Sequence, residues 1–142
     1  MTLRDAPAVV PAIAPAAFAA LRDLAREAPV EVRVRGDCMA PGVADGERVR
    51  VAARRFYLPG DVVVFRAADG RLVAHRLLGY RRRAGALALV TRGDACPVHD
   101  APVPLAAVLG RVATLRPTLA ARAEALRRFA VLAGSRLLRG GR

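Results

Sequence analysis

Two cysteines and two histidines, Cys38, Cys96, His75 and His99, are the side chains of this chain best suited to nucleophilic and proton-transfer chemistry. The chain contains no lysine, and its one serine, Ser135, lies in the C-terminal tail. A Ser-Lys dyad is therefore excluded by inventory. What remains is Cys with His. A thiol is already partly ionised near neutral pH, and a neighbouring imidazole holds the thiolate as an ion pair, so attack on a carbonyl needs little further activation. The same imidazole then donates its proton to the departing group. The two cysteines are too few for a disulfide scaffold and match no zinc spacing, so neither a metal nor a cofactor is expected. Two readings of the pair stay open: one disulfide if the cysteines meet in space, or a reactive Cys38 with Cys96 as a buried bystander.

The elements that must position these groups follow from composition and period. At 142 residues the chain suffices for one domain with tails. Hydrophobic residues make up 54% and aromatics 4%, so Val, Leu and Ala must build the core. The balance of 24 basic against 12 acidic residues leaves a net charge of +12, all of the positive charge being arginine. Such charge favours anionic membranes or nucleic acid nonspecifically. The arginines are scattered from Arg4 to Arg142, however, and dense only at Arg81–Arg83 and in the C-terminal tail, which argues against nucleic-acid binding as the main role. Pro7, Pro11 and Pro15 interrupt the apolar N-terminal stretch, so neither a spanning helix nor a good secretory signal is read there. A cytoplasmic or peripherally membrane-associated protein is the expectation.

The spacing predicts an irregular N-terminus followed by a short helix over Pro15–Ala28, with Phe18, Leu21, Leu24 and Ala25 on one face. From Val30 the period changes to two: Val30, Val32 and Val34 alternate with charged residues, as in a half-buried strand. Further strands are predicted at Arg48–Ala52, Val62–Phe65, Arg71–Tyr80, Ala86–Thr91 and Val108–Leu115. They are separated by turns at Asp45-Gly46, Pro59-Gly60-Asp61, Asp69-Gly70 and Gly93-Asp94, a basic loop over Arg81–Gly85 and a proline-bearing loop over Ala95–Pro104. Six or seven strands with turns about every ten residues indicate a mainly β fold, an antiparallel barrel or sandwich with short terminal helices. The organisation read is 1–29 as an irregular segment and short helix, 30–116 as the β domain, and 117–142 as a basic amphipathic helix or tail. Within Thr118–Leu138 the apolar side is Leu119, Leu126, Phe129, Val131, Leu132, Leu137 and Leu138. This helix either docks on the β domain or lies on an anionic membrane, where each surface Arg adds about 1 kcal/mol.

Four blocks in order, Gly36-Asp37-Cys38-Met39-Ala40-Pro41, Pro59-Gly60-Asp61-Val62-Val63-Val64-Phe65, Ala74-His75-Arg76-Leu77 and Thr91-Arg92-Gly93-Asp94, resemble the signal peptidase I family. The resemblance is closest to the archaeal and endoplasmic-reticulum type with a histidine base, and it spans Val32 to about Val112. It implies an all-β peptidase fold and a peptidase that cuts a leader or signal segment from a protein substrate. Cys38 stands where that family carries its serine nucleophile. By the same resemblance His75 is the base and Asp100 the acid that orients it, with Asp94 as second choice and otherwise a turn residue. The Cys38 amide is the expected oxyanion donor, Gly36 admits the substrate strand, and Met39 lines the site or core. His99 is a loop residue and competitor to His75; Asp61 and Asp45 are structural turn residues.

Two other functions compete with the Cys38–His75–Asp100 peptidase. One is a pseudo-enzyme of the same fold that binds peptide without cutting it, motivated by the serine-to-cysteine change. The other is a self-cleaving repressor of related fold, which lacks support because no helix-turn-helix precedes the β domain and the lysine base is missing. An anionic membrane surface, met through the C-terminal segment, is the further partner expected.

Overall fold

The computed structural model describes residues 12–139. The proline-punctuated start expected to be irregular lies largely outside these residues. The first element is a helix, α1 (Pro15–Glu27), with Pro at its first turn, where a missing N–H costs nothing. Phe18 and Ala25 are buried and Leu21 packs beside them, but Leu24 is 56% exposed, so the buried stripe is narrower than the spacing predicts.

Seven strands follow: β1 (Val30–Arg33), β2 (Arg48–Ala52), β3 (Val62–Arg66), β4 (Leu72–Arg83), β5 (Ala86–Arg92), β6 (Val103–Pro104) and β7 (Val108–Val112). They form a single antiparallel sheet in the order β1-β2-β7-β3-β4-β5-β6. It curls as a half-barrel, with β1 and β6 as its edges among the described residues, so the expected mainly β, antiparallel architecture is present, as one curled sheet. The final helix is α2 (Leu119–Arg139).

The apolar run Val62–Phe65 lies at the centre, and the pleat divides it. Val62 and Val64 join Phe18, Val32, Val34, Val51 and Leu109 in one cluster. Val63 and Phe65 join Leu77, Leu89 and Val108 in another. A strand covered on both faces needs no polar alternation, which is why this one reads as a continuous hydrophobic run.

Three boundaries differ from the prediction by more than one residue. Arg81–Arg83 do not form a loop but extend β4, paired through Arg83↔Ala86 with β5. Only Ala84 and Gly85 make the turn, both at positive φ (50° and 78°), as a tight hairpin requires. The backbone ladder tolerates three consecutive arginines because their side chains reach solvent at the strand end. Within the predicted loop, Val103 and Pro104 add a short edge strand against Leu89 and Ala88, and a 3-10 turn, Leu105–Ala107, follows. Strand β7 ends at Val112, three residues short of the expected Leu115.

Helix α2 docks on β4. Ala125 is buried with Leu78 and Val90, and Phe129 and Leu132 pack against them. The approach is close enough that a Cβ on Gly79 would lie 2.6 Å from the Phe129 ring, and one on Gly60 2.8 Å from the Arg122 side chain. Leu119, Leu126 and Val131 point outward instead. Leu137 and Leu138, expected on the apolar side, lie outside the residues whose side chains are described.

Candidate active site

Cys38 sits in the turn that follows β1, and backbone bonds from both sides hold it there. Its carbonyl accepts the Ala95 N–H at 2.8 Å, and the adjacent Met39 carbonyl accepts that of Val43 at 3.0 Å. Met39 is buried in the core beneath the turn, and its Sδ accepts the Asp94 N–H at 3.3 Å. It therefore anchors the turn from below and does not line the cleft. Gly36, by contrast, is at the surface with φ +98°, and its N–H is fixed by the Asp45 carboxylate at 2.9 Å. Asp45 is thus structural, as expected.

His75 stands on β4 opposite Val63 and is 7% exposed. The Phe65 ring meets it edge to face, with centroids 5.7 Å apart. Its Nδ1 lies 2.5 Å from Asp100 Oδ2. The fully buried Thr91 also donates to that oxygen, at 2.7 Å, while the Asp100 N–H bonds to the Thr91 carbonyl at 2.9 Å. Two anchors thus hold the carboxylate, and the carboxylate holds the ring. With Nδ1 engaged, Nε2 is the nitrogen left for other work.

Asp94, the alternative acid, is committed elsewhere. It forms a two-pronged ion pair with Arg76, both contacts at 2.7 Å, and that partnership raises the guanidinium pKa above its ordinary value. His99 is exposed and faces the α2 side, near Arg127 and Val131, away from Cys38. Asp61 is buried under Arg122 and caps its own turn through the Leu58 N–H at 2.8 Å, a structural role.

The structure selects between the two readings left open for Cys96. That residue is not a buried bystander but is joined to Cys38 by a disulfide, with the Cα atoms 5.5 Å apart. The Arg92 guanidinium bonds to the Cys96 carbonyl at 2.7 Å, and the Cys96 N–H to that of Gly93 at 3.0 Å. Gly93 is what allows the two loops to meet. A Cβ there would fall 2.5 Å from that of Cys38 and 2.9 Å from Cys96 Sγ. The Thr91-Arg92-Gly93-Asp94 block showed a turn, but neither this close approach nor the role of Thr91 had a separate sequence signal.

One ring nitrogen of His75, Cys38 Sγ and Cys96 Sγ all lie within 4.8 Å of one another. Cys38, His75 and Asp100 border a cleft of about 560 Å³, whose walls include Gly36, Phe65, Val73 and the Ala101–Pro104 stretch. Arg35, Arg66 and Arg71 line it as well, giving it a positive rim. The arrangement is therefore a half-buried sulfur beside an oriented imidazole at the edge of a largely apolar groove. Among known proteins, no family model and no curated sequence matches this chain.

Proposed function

We propose that this chain is a signal-peptidase-like endopeptidase that cleaves a leader or signal segment when the Cys38–Cys96 bond is reduced. One observation carries the reading. Cys38 Sγ lies within 4.8 Å of a ring nitrogen of His75, whose Nδ1 is held by Asp100. Reduction frees the Cys38 thiol, and His75 Nε2 takes its proton. The thiolate attacks the scissile carbonyl, and the imidazolium protonates the departing amine, leaving an acyl-enzyme that water hydrolyses. Asp100 keeps the proton on Nδ1 throughout and stabilises the imidazolium. The Cys38 amide is suited to stabilise the oxyanion. An extended peptide is accommodated along the groove between Gly36 and Ala101–Pro104, where shallow apolar walls suit small side chains near the cut.

The test is cleavage of leader-type peptides with alanine near the scissile bond. The reduced protein is expected to cleave, while Cys38→Ala abolishes turnover and His75→Ala lowers it by roughly 10²–10⁴-fold. Unchanged cleavage by the Cys38→Ala protein would end the peptidase reading.

The disulfide favours a second reading, because a nucleophile already in a covalent bond cannot attack. In that case the chain binds peptide without cutting it. Peptide binding with no turnover, in the reduced and the oxidised protein alike, is the outcome that selects this pseudo-enzyme.

A further inference from the structure

We propose that the reduced protein binds one zinc ion through Cys38, Cys96 and His75. Ion binding does not depend on the peptidase reading; its consequence for cleavage rests on that reading.

The argument begins with the donor set. Two thiolates and one imidazole are soft and borderline ligands that suit zinc, and three protein ligands leave a fourth tetrahedral position open. The three donor atoms already lie within 4.8 Å of one another. Metal–sulfur bonds of about 2.3 Å in a tetrahedron put two sulfurs about 3.8 Å apart, so breaking the disulfide needs only a modest separation of the sulfurs. The backbone bonds from Ala95 to Cys38 and from Cys96 to Gly93 keep both cysteines in place while this happens. Asp100 supplies the rest. By accepting from Nδ1 it leaves Nε2 as the nitrogen to ligate, the carboxylate–histidine arrangement that orients and strengthens a metal-binding imidazole.

Charge and hardness make the site selective. The complex of a divalent ion with two thiolates and a neutral imidazole carries no net charge, so the arginines of the cleft do not oppose it. Asp100 is engaged with His75 and Thr91, so the cluster offers no carboxylate to magnesium or calcium. The chemistry balances in two steps. An external thiol reductant, two RSH, converts the disulfide to two cysteine thiols and is itself oxidised to RSSR. Zinc then displaces one proton from each thiol, and water from the cleft fills the fourth position. Because the ion occupies both the sulfur and Nε2 that cleavage requires, it holds the peptidase off.

The experiment uses the full chain, reduced with a phosphine under anaerobic conditions. Zinc is titrated by equilibrium dialysis, and cobalt serves as a spectroscopic probe. One ion per chain is expected, with a thiolate-to-cobalt charge-transfer band and tetrahedral ligand-field bands. Asp100→Asn should weaken zinc binding about 10–100-fold through loss of the imidazole's partner. Cys96→Ser and His75→Gln, each checked for native circular dichroism, should weaken it at least as much, and the oxidised protein should bind none. No stoichiometric binding by the reduced protein overturns the proposal, as does equal affinity in Cys96→Ser and His75→Gln or in the oxidised form. Stoichiometric zinc binding together with no cleavage of any peptide by the reduced, zinc-free protein supports the ion site and counts against the peptidase. Cleavage that is indifferent to zinc counts against the ion site alone.

Discussion

At the residue scale, the candidate chemistry rests on how few degrees of freedom His75 retains. Phe65 packs against the ring in a T-shaped contact, Asp100 fixes Nδ1, and Thr91 fixes Asp100. Thr91→Val keeps the shape of the buried side chain but removes its donor to the carboxylate. If His75 acts as base, this variant is expected to lose roughly 10–100-fold in kcat with little change in KM, as one hydrogen bond to a charged carboxylate, worth about 1.5–3 kcal/mol, implies. Unaltered kcat in a correctly folded variant refutes that positioning role. Gly93 makes the other sharp prediction. With the Cys38 Cβ only 2.5 Å from where its own Cβ would be, Gly93→Val must push the two cysteine loops apart. The disulfide yield, measured by thiol titration of protein refolded under air, should fall markedly.

At the element scale, arginine does work that its abundance conceals. Arg22 of α1 bonds to the Val108 carbonyl at 2.9 Å, Arg66 of β3 to that of Ile13 at 2.8 Å, and Arg76 of β4 to that of Gly60 at 2.7 Å. Arg122 ties α2 to the Pro59 carbonyl at 3.0 Å and to buried Asp61 at 3.2 Å. These contacts satisfy backbone groups at the ends of elements, where turns leave carbonyls without partners. Helix α2 thus docks through one face, and Gly79→Val, which collides with Phe129, should cost about 1–3 kcal/mol in urea unfolding. Leu119, Leu126 and Val131 remain exposed on other sides of the helix, and the proposed contact with anionic membrane depends on them. Leu126→Asp with Val131→Asp should abolish flotation with anionic liposomes and leave the fold intact. Equal flotation of this double variant removes the membrane proposal. No helix among the described residues is long and apolar enough to cross a bilayer, so any such contact through α2 is at the surface.

At the scale of the whole molecule, the disulfide ties the first third of the chain to the last, across a sequence separation of 58 residues. In the chain-entropy view, closing a loop of that size stabilises the fold by about 4 kcal/mol, and measured values usually fall near 2–4. Reduction should therefore lower the urea midpoint without changing the slope greatly; an unchanged midpoint means that the crosslink carries no stability. The local pattern alone determined the two helices, most of the strands and the turns, because period and turn chemistry act over a few residues. It placed Arg48–Ala52 correctly, and it identified the central strand within one residue. It misjudged the β4–β5 hairpin, where pairing with a neighbour overrides the preference of arginine for loops. Of the site, the block order singled out Cys38, His75 and Asp100 on resemblance, and their proximity became visible only when strands β3, β4 and β5 paired side by side. The bond between Cys38 and Cys96, the anchoring of Asp100 by Thr91 and the burial of Met39 were decided by tertiary structure. Those outcomes depend on which loops the sheet register brings together, and register is a property of strands far apart in sequence.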